Sequence, residues 1–473
     1  MLDESLLDAP DALARADRRG LLRDAAEAGA RVRTALRNTA EAGVGGLAPE
    51  GRPRAVLIAG SGTAATAVAD LVGALAGAAA PVVRLSPTGV APAAGALRWA
   101  LPGWAGPVDL LLIATTDGSE PSLALLAEQA YRRGCTVVAV APRTSPLIEA
   151  VGNTHGLTVP MAPPLNERYE SQERHGRLER PERPERPERP ERSGNDTEAD
   201  GPTGNEPAGE PGSESGNGTG AEPGSESGAE SGSGPGAESG GRPENGRPEN
   251  NVGAEHGAAA GAERADTPTA VGSGAFWALL VPLLALLDRA GLLSAPPETL
   301  QKVADRLDSV AERCGPAVAT YSNPAKTLAA ELAESLPLIW TEGTAAASAG
   351  RRFAAALAEL TGRAALAAEL PDALPAHSAL LAADVTGGTD LDDFFRDRVE
   401  DPGRTRPRVV LLRDRPVGGL TAAPAARDLA LGHGTGISEL EPEDGSELEA
   451  LAELLAVTDF ATVYLALAGN APA

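Results

Sequence analysis

Two stretches of this 473-residue chain carry residue types at spacings that suit chemistry. The first, at residues 109–122, reads DLLLIATTDGSEPS. An apolar run at 110–114 has the length of a strand buried on both faces. It enters a turn rich in hydroxyls: Thr115, Thr116, Ser119 and, further on, Ser122. A helix is expected next, with Ser119 as N-cap, Pro121 in its first turn and Leu123, Leu126 and Ala130 along its apolar face. Such a turn offers free backbone N–H groups and the positive end of a helix dipole, which suits a small phosphorylated ligand. An ordinary capped strand-to-helix connection uses the same residues. The second stretch, Gly60-Ser61-Gly62-Thr63-Ala64-Ala65, fits the loose dinucleotide pattern after a strand at 54–59. That fingerprint also needs a carboxylate at the end of the next strand, where this chain has Arg84-Leu85-Ser86. A nicotinamide enzyme is therefore the weakest reading, and no cofactor is expected. Gly60, Gly62 and Thr63 are better read as a close backbone turn at the same sheet edge as the first stretch.

The elements that must hold these turns follow from the patterning. Helices are expected at 10–18 and 21–41, the second with Gly29 on its apolar face as a weak point or close-packing spot. Strands are expected at 54–59, 81–85, 110–114 and 136–141, alternating with helices, which implies a parallel sheet covered on both faces. From about 166 to 265 the text changes to an ERP repeat (179–192) and then to Gly, Ser, Glu and Pro. That segment has too little apolar surface to offset its ordering entropy and is expected to be a disordered linker. Order resumes with a core helix at 274–293 interrupted by Pro282, helices at 298–314 and 325–335, and a strand at 338–340. A helix from 346 to 358 or beyond, a loop at 371–377, a strand at 408–413 and a closing helix at 447–467 complete the second half. The fold class expected is α/β, with two doubly wound subdomains built on parallel central sheets and separated by the long insertion. The boundaries are 1–50 for N-terminal helices, 51–165 for the first subdomain, 166–265 for the linker and 266–473 for the second subdomain.

Composition narrows the classes of function. A formal net charge of -25 repels a nucleic-acid backbone, and 3% aromatics leave little for base stacking, so no nucleic-acid partner is expected. The longest apolar run, 276–287, contains Pro282 and is too short to span a bilayer, so no membrane partner is expected. The opening residues have no leader pattern, and Cys135 and Cys314 lack metal-ligand spacing. The expectation is a cytoplasmic protein with small buried cysteines and no metal.

Taken together, Gly60-Ser61-Gly62-Thr63, the stretch 114–122 and Arg133-Gly134-Cys135-Thr136-Val137-Val138 resemble a sugar isomerase (SIS) domain. In the second half, Asn323-Pro324-Ala325-Lys326-Thr327, Pro337-Leu338-Ile339-Trp340, Arg351-Arg352-Phe353 and the closing stretch from Thr458 to Leu467 resemble the bifunctional phosphoglucose/phosphomannose isomerases. The resemblance covers both halves and omits the linker. It implies two SIS subdomains, a homodimer and a hexose 6-phosphate as substrate. The reaction it implies is aldose–ketose interconversion through an enediolate, interconverting glucose 6-phosphate or mannose 6-phosphate with fructose 6-phosphate. A carboxylate moves the proton between C1 and C2 and a histidine assists ring opening. Matching the family's motifs puts that carboxylate at Glu359 and the histidine at His377. The phosphate-binding positions fall on Thr63, Thr116, Ser119 and Ser122, with Gly60, Gly62 and Thr115 beside them. The residues on their own leave other readings open. Glu359 precedes Arg363 by four, the favoured order for a surface ion pair, and His377 in a Pro-rich loop suits a solvated residue. Ser378 and Ala379 follow the histidine where the family has an amide and a carboxylate, Ala358 and Leu360 replace asparagines, and Thr269 replaces an arginine. The phosphate cradle thus matches the family better than the catalytic set, and a catalytically silent sugar-phosphate sensor or scaffold is the alternative.

Overall fold

The computed structural model describes residues 2–46, 51–89, 97–161, 272–385, 406–414 and 420–469. The chain opens with short helices α1 (Glu4–Leu7), α2 (Pro10–Ala16), α3 (Leu21–Ala26) and α4 (Ala28–Glu41). The single helix expected at 21–41 is broken at Glu27, whose backbone (φ -86, ψ 4) ends α3 and begins α4. Gly29 is a close-packing spot: a Cβ there would meet the Ala304 carbonyl at 2.6 Å.

The first half then alternates strand and helix: β1 (Val56–Ala59), α5 (Gly62–Ala76), β2 (Val82–Leu85), β3 (Leu110–Ala114), α6 (Pro121–Arg132), β4 (Thr136–Pro142), α7 (Pro146–Asn153) and β5 (Leu157–Met161). The strands form a parallel sheet in the order β2-β1-β3-β4-β5. Helix α7 and strand β5 have no counterpart among the elements expected from sequence. Strand β5 is an edge strand with Pro160 in it and only alternate burial, so it lacks a continuous apolar run.

The second half runs α8 (Ser273–Arg289), α9 (Pro297–Cys314), α10 (Pro324–Leu332), β6 (Ser335–Glu342), α11 (Thr344–Thr361), β7 (Leu366–Glu369), α12 (Ala373–Val385), β8 (Arg406–Arg413), α13 (Ala423–Gly432), β9 (Ile437–Leu440) and α14 (Glu447–Ala468). Its sheet is parallel with the order β7-β6-β8-β9. Pro282 is accommodated inside α8. The stretch 371–377, expected as a loop, supplies most of the first turns of α12 instead. The expected linker, 166–265, lies outside the described residues.

Because successive strand residues face opposite sides, each sheet serves two layers. Val56 and Ile58 of β1, with Ile339 of β6 and Val410 of β8, face one core shared with α8, α9 and α14. Leu57, Leu111 and Ile113 face α6 and α7, whereas Leu338, Trp340 and Leu411 face α12 and α13. Among the described residues α14 is the helix long and apolar enough to cross a membrane, and 83% of that window is buried inside the protein. It is the core helix of the shared layer, started by a capping box between Ser446 and Glu449.

One polar residue on α14 makes stability depend on pH. Glu453 accepts from Arg306 Nη1 at 2.5 Å, Arg313 Nη2 at 2.6 Å and the Glu443 N–H at 3.1 Å. Burial pushes its carboxyl up, but these donors outweigh burial and hold it below the ordinary value of 4.5. A depressed carboxyl stabilises the fold above its unfolded-state value and loses that contribution as pH falls through the folded value. Urea titrations from pH 7 to 3 are expected to show stability falling below about 4.5, with a shallower fall in Glu453→Gln. Parallel curves for the two proteins would remove Glu453 from the account.

Candidate functional site

Helices α5 and α11, each following the strand beside its own sheet's exposed edge strand, pack against one another. Arg351 of α11 clasps both oxygens of Asp70 on α5, through Nε at 2.7 Å and Nη2 at 3.0 Å, and reaches Glu369 of β7 through Nη1 at 2.9 Å. A cavity of about 800 Å³ lies along this seam. Its walls include Gly62 and Thr63 at the start of α5, Arg84 at the end of β2, and Arg352 and Glu359 of α11.

Each wall residue has a local reason for its place. A Cβ on Gly60 would come within 2.0 Å of the Ala114 carbonyl, so only glycine lets β1 turn this tightly beside β3. Gly62 has φ +86, a conformation that glycine adopts without strain. The N-cap of α5, Ser61, makes no side-chain hydrogen bond to the helix, so the first-turn N–H groups receive no cap from it. Arg84 donates through Nη1 to Thr66 Oγ1 on α5 at 3.1 Å. Arg352 forks onto Asp459 of α14 at 2.5 and 3.1 Å and covers the Phe276 ring at 4.6 Å. Glu359 is exposed and makes no hydrogen bond or ion pair among the described residues. The surface pairing with Arg363 does not form, because Arg363 Nη1 donates to the Leu332 carbonyl at 2.8 Å.

The fold therefore brings Gly62, Thr63 and Glu359 to one cavity, with Gly60 in the turn just before it. It does not bring the other expected residues there. Thr115, Thr116, Ser119 and Ser122 lie outside the cavity wall. Their turn is hydrogen-bonded within itself: Thr115 Oγ1 accepts from the Asp117 and Gly118 N–H groups, at 3.4 and 3.2 Å. Asp117 accepts from the Ser119 N–H at 2.9 Å and from its hydroxyl at 2.6 Å. The Ser122 hydroxyl is shared between the Leu97 carbonyl and Glu120, 2.9 Å from the latter. The N-cap of α6 is Glu120 rather than Ser119, because the Ser119 side chain is drawn to Asp117. A carboxylate thus occupies the N–H and hydroxyl donors of Ser119.

His377 is buried on α12, 8% exposed, on the far side of β6 from the shared core. The Trp340 indole N–H donates to its Nδ1 at 2.9 Å. Burial lowers its pKa, so the ring is held neutral with its proton on Nε2. Among the described residues no group of three or more His, Cys, Asp or Glu side chains is placed to hold a metal ion.

The cavity-lining residues that sequence reasoning gives no site role are Asp70, Arg84, Arg351 and Arg352. Arg84 enters the sequence reading only as the absence of a dinucleotide carboxylate, Arg351 and Arg352 only as part of a family-like stretch without an assigned role, and Asp70 not at all. Their only signal is charge on the faces of two helices whose contact is long-range.

Residues 321–471 match the family described as the bacterial phospho-glucose isomerase C-terminal SIS domain. No curated protein matches the chain. Among solved structures, a glucose-6-phosphate isomerase like protein from Thermus thermophilus is 22% identical over 41% of this chain, with a TM-score of 0.30. The match spans 58% of that protein's length. The tagatose-6-phosphate ketose/aldose isomerase from Escherichia coli is 11% identical, covering 95% of this chain and 91% of its own, with a TM-score of 0.40. The C-terminal domain of glucosamine-fructose-6-phosphate aminotransferase from Francisella tularensis is 11% identical, covering 95% and 96%, with a TM-score of 0.42. The chain thus has two parallel α/β halves, and residues 321–471 of the second resemble the SIS domain of bacterial phosphoglucose isomerases.

Proposed function

We propose that this chain interconverts glucose 6-phosphate or mannose 6-phosphate with fructose 6-phosphate, with Glu359 as the base. The observation that carries this reading is the placement of Glu359: an unpaired carboxylate on an 18-residue helix, facing the cavity that also receives the start of α5. Proton transfer between C1 and C2 through an enediolate needs one base that reaches both carbons from one side, and a carboxylate on a rigid helix supplies it. The proposal gives His377 no part in ring opening, since Trp340 and burial already account for its position. It takes residues 51–165 and 266–473 as the two SIS subdomains and a homodimer as the working assembly.

The test is a coupled assay on the full chain with glucose 6-phosphate and mannose 6-phosphate, in which fructose 6-phosphate forms at a rate proportional to protein. Product at background rejects isomerisation. A second reading, a sugar-phosphate sensor or scaffold without turnover, is favoured by the engagement of His377 with Trp340 and by the self-bonded turn at 115–122. Its signature is a ligand-dependent rise in melting temperature in the absence of product.

A further inference from the structure

We propose that Arg84 is the phosphate anchor of the α5–α11 cavity, taking over from the turn at 115–122 the recognition of a phosphomonoester. The proposal deepens the hexose 6-phosphate reading above and rests on it. It starts from how charge is used. In the turn at 115–122 the Ser119 N–H and hydroxyl are taken by Asp117, the Asp117 and Gly118 N–H groups by Thr115 Oγ1, and a second carboxylate stands at Glu120. A dianion brought there would lose the competition for those N–H groups and meet like charge.

In the cavity wall three guanidinium groups are present, and two are committed. Arg351 is spent on Asp70 and Glu369, and Arg352 on Asp459. Arg84 spends one N–H on the Thr66 hydroxyl and has no carboxylate partner among the described residues. That single bond orients it: Thr66 Oγ1 is itself tied to the Gly62 carbonyl at 3.1 Å, so the guanidinium is held against the first turn of α5. Its remaining N–H edge matches two phosphate oxygens, the fork geometry in which arginine binds phosphate best. Thr63 lines the same cavity and brings a hydroxyl to its wall. Arg84 is also the penultimate residue of a strand of an open parallel sheet, beyond whose carboxyl edge ligands of such sheets bind. Glu359 lines the cavity as its uncommitted carboxylate. A phosphoryl group is drawn to Arg84 and held off by Glu359, so a sugar phosphate enters in one orientation.

The experiment is calorimetric titration of the full chain, Arg84→Gln and Arg84→Lys with inorganic phosphate, glucose 6-phosphate and glucose, with the coupled assay run alongside. Arg84 is exposed, and the melting temperature of each variant without ligand is expected to match the parent. The parent should bind phosphate and glucose 6-phosphate but not glucose. Arg84→Gln should lose affinity for both by about 10- to 100-fold, the range for one charged hydrogen-bonded contact, with Arg84→Lys between them. In turnover the loss should appear in KM with kcat within about twofold, since the contact is uniform along the reaction. Arg84-dependent phosphate binding with no turnover would uphold the anchor and reject isomerisation. Turnover with unchanged KM in Arg84→Gln would reject the anchor and leave isomerisation standing. A parent that binds no phosphate in either form overturns the anchor.

Discussion

Asp459→Ala is expected to cost about 3–5 kcal/mol of folding stability, the largest single-residue effect outside the apolar core. Asp459 and Arg352 are 8% and 9% exposed, and the guanidinium meets both carboxylate oxygens. The pair joins α11 to α14, and the guanidinium also stacks over Phe276 of α8, so three elements converge on it. Removing the carboxylate leaves a buried cation without its partner, and desolvation of that cation is the main cost. The native pair itself contributes much less than this, because bringing both ions out of water offsets most of their attraction. Two consequences separate these effects. Arg352→Met with Asp459→Leu should recover most of the loss, and the double-mutant cycle should give a coupling of about 1–3 kcal/mol. Urea unfolding of the four proteins at neutral pH measures both. A loss under about 1 kcal/mol for Asp459→Ala would mean that water from the cavity reaches Arg352 and solvates it.

The second large effect is on turnover. Glu359→Gln is expected to lower kcat for hexose 6-phosphate isomerisation by about 10²–10⁴, the contribution of a positioned base. The change removes a proton acceptor and keeps the shape of the side chain. Because the residue is exposed and unpaired among the described residues, stability should change by less than about 0.5 kcal/mol. Affinity for the sugar phosphate should hold or rise slightly, since a negative charge leaves the cavity that takes up an anion. The assay and a thermal melt with ligand read the two quantities separately. A variant that retains half the parental kcat would show that another group moves the proton, and Glu359 would then serve only to orient the ligand. Loss of binding together with loss of turnover would point to a collapsed cavity instead, which the ligand-free melt detects.

Local chemistry makes much of the architecture legible. Leu110 to Ala114 and Thr136 to Ala141 read as strands because continuous apolar runs of that length are buried on both faces of a parallel sheet. Helix α8 reads as a core helix because it is apolar all round, and α9 reads as amphipathic from its spacing. Short elements with mixed burial do not stand out. Strand β9 buries one residue of its four, and α7 is eight residues long, so neither offers enough periods to count. The pattern around His377 suggests a loop because Pro371 and Pro375 flank it. Proline is tolerated in the first turn of a helix, and Trp340 supplies the buried partner that orders the ring.

The site divides along the same line. Residue order alone determined which short segments would turn at a sheet edge: the close approach at Gly60 and the positive φ at Gly62 are backbone requirements written in side-chain absence. It also determined, through alternating strand and helix patterns, that both halves would be parallel α/β. Which turn faces an open cavity was decided only by the packing of α5 on α11, a contact between residues far apart in the chain, such as Asp70 and Arg351 with a separation of 281. Which charges remain available was decided there too. A guanidinium is free or spent according to which carboxylates the fold brings within about 3 Å, and no local pattern encodes that distance. Thus Arg351 and Arg352, adjacent in the chain, are locked into different ion pairs, while Arg84 is left facing the cavity.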